Sequence, residues 1–184
     1  MHPNQENIFG VPIWGFILKE QLYQNVDYTD YILNLQEKQY SRTKSNKGGF
    51  QSKDDLHTHS IFQELNRDIL SACKSILSFP DKNVYMQSMW ANINEHGDFN
   101  MPHIHEGVLS GVFYCKTPEN CGRLILQDPA VRSNVSLIKN SDFAVNPEEL
   151  ALIIFPSWLE HYVEPSQSEE LRVSISFNIG IKEL

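Results

Sequence analysis

Clusters of lysine and arginine are missing from this 184-residue chain, in which 15 basic side chains stand against 23 acidic ones for a net charge of -8. Phosphate recognition needs concentrated positive charge, so nucleic-acid binding is not expected. Long apolar runs are missing as well. None approaches the roughly 20 residues that span a bilayer, and the start, MHPNQENIFG, has neither the basic region nor the apolar core of a signal peptide. No membrane association is expected. Cysteine is scarce: Cys73, Cys115 and Cys121 form an odd set, too small for a disulfide framework, which points to a reducing, cytoplasmic compartment. Repeats and low-complexity tracts are absent. What remains is ordinary globular composition, 41% hydrophobic and 21% charged, over a length that suits one domain with a sizeable core.

The chain changes character near residue 83. Before it, IFGVPIWGFIL (8–18) reads as an edge strand or extended arm. Residues 27–40 repeat apolar positions at helical spacing, with Asp27 as cap. KSNKGGFQSKDD (44–55) has the composition of a loop. A second helix opens at Ser60 with a capping-box pattern to Gln63 and ends by Phe79-Pro80. Beyond residue 83 come short β-prone runs separated by turn residues: VYMQSMWANINEHG, SGVFYC, RLILQDP, ALIIFPSW, HYVEP and RVSISFNIG. The pattern predicts a mainly β protein, a double-stranded β-helix or jelly roll of cupin-like form over 83–184. A helical N-terminal support region over 1–82 packs on it.

The chemistry concentrates in NMPHIHEG. Side chains two apart on a strand share a face, so His103 and His105 project together if that stretch is extended. A third ligand is expected from His161, after a gap of 55 residues and an apolar strand. Imidazole suits iron, zinc, copper and nickel, so the ligands alone do not choose the metal. His57 and His59 have the same spacing beside two aspartates and read as solvated linker residues. His96, in the turn EHGD, reads as a surface residue. The last strand sorts its residues by face: Arg172, Ser174, Ser176 and Asn178 on one, Val173, Ile175, Phe177 and Ile179 on the other. The polar face either meets water or lines a cavity. In the second case Arg172 offers a planar fork suited to a carboxylate, with Ser174 beside it.

GDFNMPHIHEGVLSGVFY (97–114), LILQDP (124–129) and FPSWLEHYVEPSQSEELRVSISFN (155–178) resemble the 2-oxoglutarate and Fe(II)-dependent dioxygenase superfamily. More closely they resemble a group of short, often phage-encoded oxygenases within it. The resemblance implies Fe(II) held by three protein ligands and 2-oxoglutarate chelating it, with hydroxylation of a C–H bond and release of succinate and CO2. Arg172 and Ser174, matching the family's R-x-S element, would bind the C5 carboxylate, with Tyr114 and Asn178 as further cofactor contacts. Asn92 and Asn94 are secondary cavity candidates; Trp90 and Trp158 read as core or rim. One departure stands out. The superfamily norm is H-x-D or H-x-E before the distant His, whereas here the second position is His105. The expected set is therefore His103, His105 and His161, with Glu106 in reserve. A small molecule or a peptide is the expected substrate, and a homo-oligomer is left open. The alternatives are a cupin-type metalloenzyme that does not use 2-oxoglutarate and a metal-free jelly-roll binding or structural module. Residues 43–55 and 131–149 are candidates for the cavity mouth.

Overall fold

The computed structural model describes residues 10–19, 26–77, 82–129 and 142–183. Its centre is a pair of long antiparallel strands, β4 (Lys82–Asn94) and β11 (Arg172–Glu183), which pair along their whole length with one irregularity at Asn178/Ile179. They belong to a six-stranded sheet in the order β1 (Trp14–Ile17), β9 (Ala151–Pro156), β6 (Leu109–Lys116), β11, β4, β3 (Phe50–Gln51). A five-stranded sheet faces it, ordered β2 (Asn46–Lys47), β5 (Phe99–His103), β10 (His161–Val163), β7 (Leu124–Leu126), β8 (Phe143–Val145). All the ladders between these strands are antiparallel. This is the double-stranded β-helix expected from the sequence.

The larger sheet is two-faced because its strands alternate. Val173, Ile175, Phe177 and Ile179 are fully buried together with Met89, Ile93, Phe113 and Leu152. Two helices cover that face: α1 (Tyr28–Lys38) buries Tyr28, Ile32 and Leu35, and α2 (Gln63–Ile76) buries Leu65, Ile69 and Cys73. Both sets recur at three or four residues, the stripe of a surface helix on a core. Between the sheets, Val112, Tyr114, Leu124, Leu126, Phe155 and Leu159 form a second, smaller cluster. Neighbours Phe113 and Tyr114 thus serve different cores.

The N-terminal region holds more than helices. β1 is the outermost strand of the larger sheet, as IFGVPIWGFIL suggested, although residues 8 and 9 lie outside the described set. Asp27 caps α1, its side chain accepting from the Asp30 amide at 2.9 Å. The capping box at Ser60 does not form. Ser60–Phe62 is a 3-10 turn, the α-helix starts at Gln63 and no side chain caps it. The helix ends at Ile76; Phe79 and Pro80 lie outside the described residues. The 44–55 stretch is no simple loop: β2 joins the smaller sheet and β3 the larger. Gly48 and Gly49 between them have φ of +74° and +63°, a backbone that glycine adopts without strain. A Cβ on Gly48 would also collide with Asp98.

All three cysteines are free thiols. Burial pushes the Cys73 thiol up to about 12 and raises those of Cys115 and Cys121. None is poised for nucleophilic chemistry. Among the described residues no helix is long and apolar enough to cross a membrane.

Gly111 lies where β6 passes closest to its neighbours: a Cβ there would meet the Ile153 carbonyl oxygen and the Phe177 ring. Overpacking of this kind costs about 1–3 kcal/mol. Gly111→Ala is expected to lower unfolding free energy by that amount, read from a urea transition with unchanged slope.

Candidate metal and 2-oxoglutarate site

Strand pairing brings the histidines together. His161, first residue of β10, is the direct cross-strand partner of His103, last residue of β5. His105 lies beyond the strand end, in the crossing from β5 to β6. It therefore reaches the others by a turn of the chain rather than by strand parity. Its amide donates to the Ser157 carbonyl at 2.9 Å, pinning this crossing to the turn that precedes His161. Gly107, φ +105°, lets the crossing pass against the Ile179 carbonyl. Ring centroids are 4.8 Å apart for His103 and His105, 4.4 Å for His103 and His161, and 4.9 Å for His105 and His161.

The ring nitrogens are oriented as ligands. Nδ1 of His103 donates to the Met101 carbonyl at 2.7 Å, and Nδ1 of His161 to the Leu159 carbonyl at 2.8 Å. A carbonyl only accepts, so both Nδ1 atoms carry the proton and both Nε2 atoms present a lone pair. His105 Nε2 stands 3.2 Å from His161 Nε2. With metal–imidazole bonds of about 2.0–2.1 Å, two nitrogens at right angles on one ion sit about 3 Å apart. One potential ligand atom from each histidine lies within 4.8 Å of those from the other two. Trp90 packs on His105 at 5.5 Å between centroids and Phe155 on His161 at 4.7 Å. Desolvation, with His103 beside them, lowers His105 to about 4 and His161 to about 3; desolvation also lowers His103. The rings are thus neutral and ready to coordinate at physiological pH. The donor set fits a first-row divalent metal such as iron. Glu106 lines the same cavity but is exposed and outside the cluster.

The polar face of β11 lines a cavity of about 800 Å³ rather than meeting water. At its deep end Arg172 is 2% exposed. One guanidinium nitrogen, Nη1, donates to Asn94 Oδ1 at 3.0 Å and Ser174 Oγ at 3.4 Å. Its Nε and the Tyr114 hydroxyl are buried without a hydrogen-bond partner. The guanidinium carbon lies 5.3 Å over the Tyr114 ring. Burial raises the Tyr114 hydroxyl, with Arg172 opposing it, so the hydroxyl keeps its proton. A buried cation with no carboxylate bonded to it among the described residues, its own Nε and the neighbouring Tyr114 hydroxyl both orphaned, is costly alone and is balanced by an anion. A carboxylate end of 2-oxoglutarate fits.

Asn178 is not brought to that end. It is six residues from Arg172 along one strand, roughly 20 Å at the rise of extended chain. Asn92 lines the cavity, Asn94 holds Arg172, Trp90 flanks His105, and Trp158 is 54% exposed. His96 is exposed in its turn. His57 and His59 are not solvated linker residues. Both are partly buried, and His59 Nδ1 meets the Tyr31 hydroxyl at 3.0 Å. Sequence reasoning missed Ser45, whose hydroxyl is 3.3 Å from His103 Nε2, and Ser157; neither sits in a spacing that marks it. Lys44, Ser45, Gln51 and Asp54 wall the cavity, as expected for 43–55. Of 131–149, residues 131–141 lie outside the described set, and β8 is the outer strand of the smaller sheet.

Unfolded histidines titrate near 6.5, above the native values, so stability is full above pH ~6.5 and falls as pH drops toward the native values. The metal-free protein is expected to lose melting temperature between pH 6.5 and about 4. His161→Gln should flatten that slope; an unchanged slope contradicts the assignment.

Residues 88–178 match a family model described as "Putative 2OG-Fe(II) oxygenase". No curated protein is similar enough in sequence to count as a match. Among solved structures, a Pseudomonas putida prolyl-4-hydroxylase superposes with TM-score 0.66 at 13% identity, covering 95% of this chain and 94% of its own. The epimerase SnoN in complex with Fe3+, alpha ketoglutarate and nogalamycin RO gives 0.73 at 11%, covering 92% and 79%. HygX from Streptomyces hygroscopicus with nickel, 2-oxoglutarate and hygromycin B gives 0.64 at 9%, covering 92% and 83%. Over residues 88–178 the chain thus matches the 2-oxoglutarate and Fe(II)-dependent oxygenases in sequence, and it shares a double-stranded β-helix with these neighbours.

Proposed function

We propose that the protein hydroxylates a C–H bond of a small-molecule or peptide substrate, with His103, His105 and His161 holding Fe(II) and Arg172 anchoring 2-oxoglutarate. The observation that carries this reading is the buried Arg172 and Tyr114 pair, with partnerless donors in the cavity that the three histidines also line. A cupin oxygenase without 2-oxoglutarate gives no reason to bury such a cation, and a metal-free module gives no reason to desolvate three neutral imidazoles.

Together, Fe(II) and 2-oxoglutarate supply an O2-dependent oxidative decarboxylation that gives succinate and CO2 and oxidises a C–H bond. The chain's own residues do the rest. Met101 and Leu159 carbonyls fix the His103 and His161 tautomers, so the lone pairs stand ready without reorganisation. Arg172 and the protonated Tyr114 bind the C5 carboxylate. Asn94 and Ser174 keep the guanidinium from rotating. Trp90 and Phe155 exclude water from the imidazoles, which strengthens each polar contact inside. Glu106 stays at the rim rather than serving as a ligand. Three free thiols accord with a reducing, cytoplasmic setting.

Adding Fe(II) and 2-oxoglutarate without oxygen should produce a weak visible charge-transfer band. Arg172→Ala should weaken 2-oxoglutarate binding roughly 30-fold or more, the loss expected for an unpaired buried charge partner, while iron stays bound. His161→Ala should lose iron by elemental analysis. Full succinate production by both variants contradicts the proposal.

A further inference from the structure

Four polar side chains form a chain on the far side of the histidines from Arg172. Ser110 donates to Asn178 Oδ1 at 2.7 Å, and Asn178 Nδ2 donates to Ser88 Oγ at 3.1 Å. Ser110 Oγ also meets Ser157 Oγ at 2.8 Å, and the Ser157 carbonyl accepts the His105 amide. Ser88, Asn178 and Ser110 are direct partners across β4, β11 and β6. The adjacent row, Trp90–Ser176–Val112, lies under His105 through Trp90. A preorganised carboxamide therefore stands one row from the metal ligands.

The network spends only part of its hydrogen-bonding capacity. Asn178 carries two N–H groups and Ser88 holds one of them; Ser88 accepts there, so its own proton is unspent. Both residues line the cavity. Gln87, Ser88, Ser176 and Asn178 carry no charge, unlike the Arg172 end. Two adjacent neutral donors suit a carbonyl oxygen. An anionic group is better served by Arg172, and the row itself offers a cation no carboxylate, the acids of the cavity wall being Glu106 and Asp54.

Building on the oxygenase reading above, we propose that Asn178 is the residue that orients substrate, and that it does so by binding an uncharged amide carbonyl. This replaces its expected role as a cofactor contact. Asn178 and Ser88 are partly exposed at the cavity wall, so a substrate that covers them without accepting their hydrogen bonds would bury unpaired donors, and analogues lacking the acceptor are disfavoured. The substrate class is thus carboxamide-bearing and neutral at that point.

The test uses full-length protein with Fe(II) and 2-oxoglutarate, reading succinate release above the substrate-free rate. Probes are N-acetyl amino-acid N-methylamides, the matching N-acetyl acids, and the matching free amines. At least one amide should stimulate release, with its acid counterpart at least tenfold weaker. Asn178→Leu should cut that stimulation by about tenfold or more, the order expected for one lost hydrogen bond that leaves a polar group bare, while Fe(II) and 2-oxoglutarate affinities by anaerobic calorimetry stay within about twofold. Asn178→Asp, nearly the same shape, should lose the amide response and favour amines. The subsite falls if acids or amines stimulate the wild type as well as amides do, if no amide stimulates, if Asn178→Leu retains the response, or if it loses 2-oxoglutarate affinity. A wild-type protein that binds neither Fe(II) nor 2-oxoglutarate overturns the oxygenase reading itself, and the amide subsite with it.

Discussion

Strand β11 can be satisfied in only one place. Its odd-numbered side chains from Val173 to Ile179 need an apolar partner, and its even-numbered ones, Arg172 to Asn178, need a polar enclosure. Helices on one side and a second sheet on the other meet both needs. Slipping the strand by one residue would press Arg172 into the helices and open Phe177 to the cavity. The register that builds the core therefore also aims Arg172, Ser174 and Asn178 into one space. Fold stability and site assembly are the same constraint.

The second constraint is electrostatic. A His-x-Asp pattern would bring a carboxylate to the metal; here His105 brings none. A divalent ion among three neutral imidazoles, with Arg172 nearby, leaves a net positive site even after a dianion binds. In a partly desolvated cavity such an imbalance favours anionic co-substrates and makes the metal depend on them for charge neutrality. With the proposed three-histidine ligand set, metal retention and 2-oxoglutarate binding would be coupled more tightly than in a site with its own carboxylate.

Much of this was legible in the chain because it rests on period and spacing. The alternation of RVSISFNIG and the stripes of α1 and α2 each encode a face; H-x-H and His161 picked out the three histidines, although His105 joins the others through a turn and not by strand parity. What escaped lacks such a signal. β2 and β3 are two residues long, too short for alternation, and their strand state comes from pairing with β5 and β4. Ser60 carries a capping-box pattern, yet the chain makes a 3-10 turn there and the helix waits until Gln63. His57 and His59 look solvated beside two aspartates, but both are partly buried, and Tyr31 and Phe62 of the helical layer draw His59 in. Ser45 and Ser157 meet their partners only through sheet crossings, which no local pattern records.

X-ray absorption of the Fe(II)-loaded protein with 2-oxoglutarate under nitrogen tests the central claim most directly. Outer-shell scattering from three imidazoles is the predicted result. Two imidazoles with a carboxylate from Glu106, or a spectrum with no imidazole at all, would contradict it.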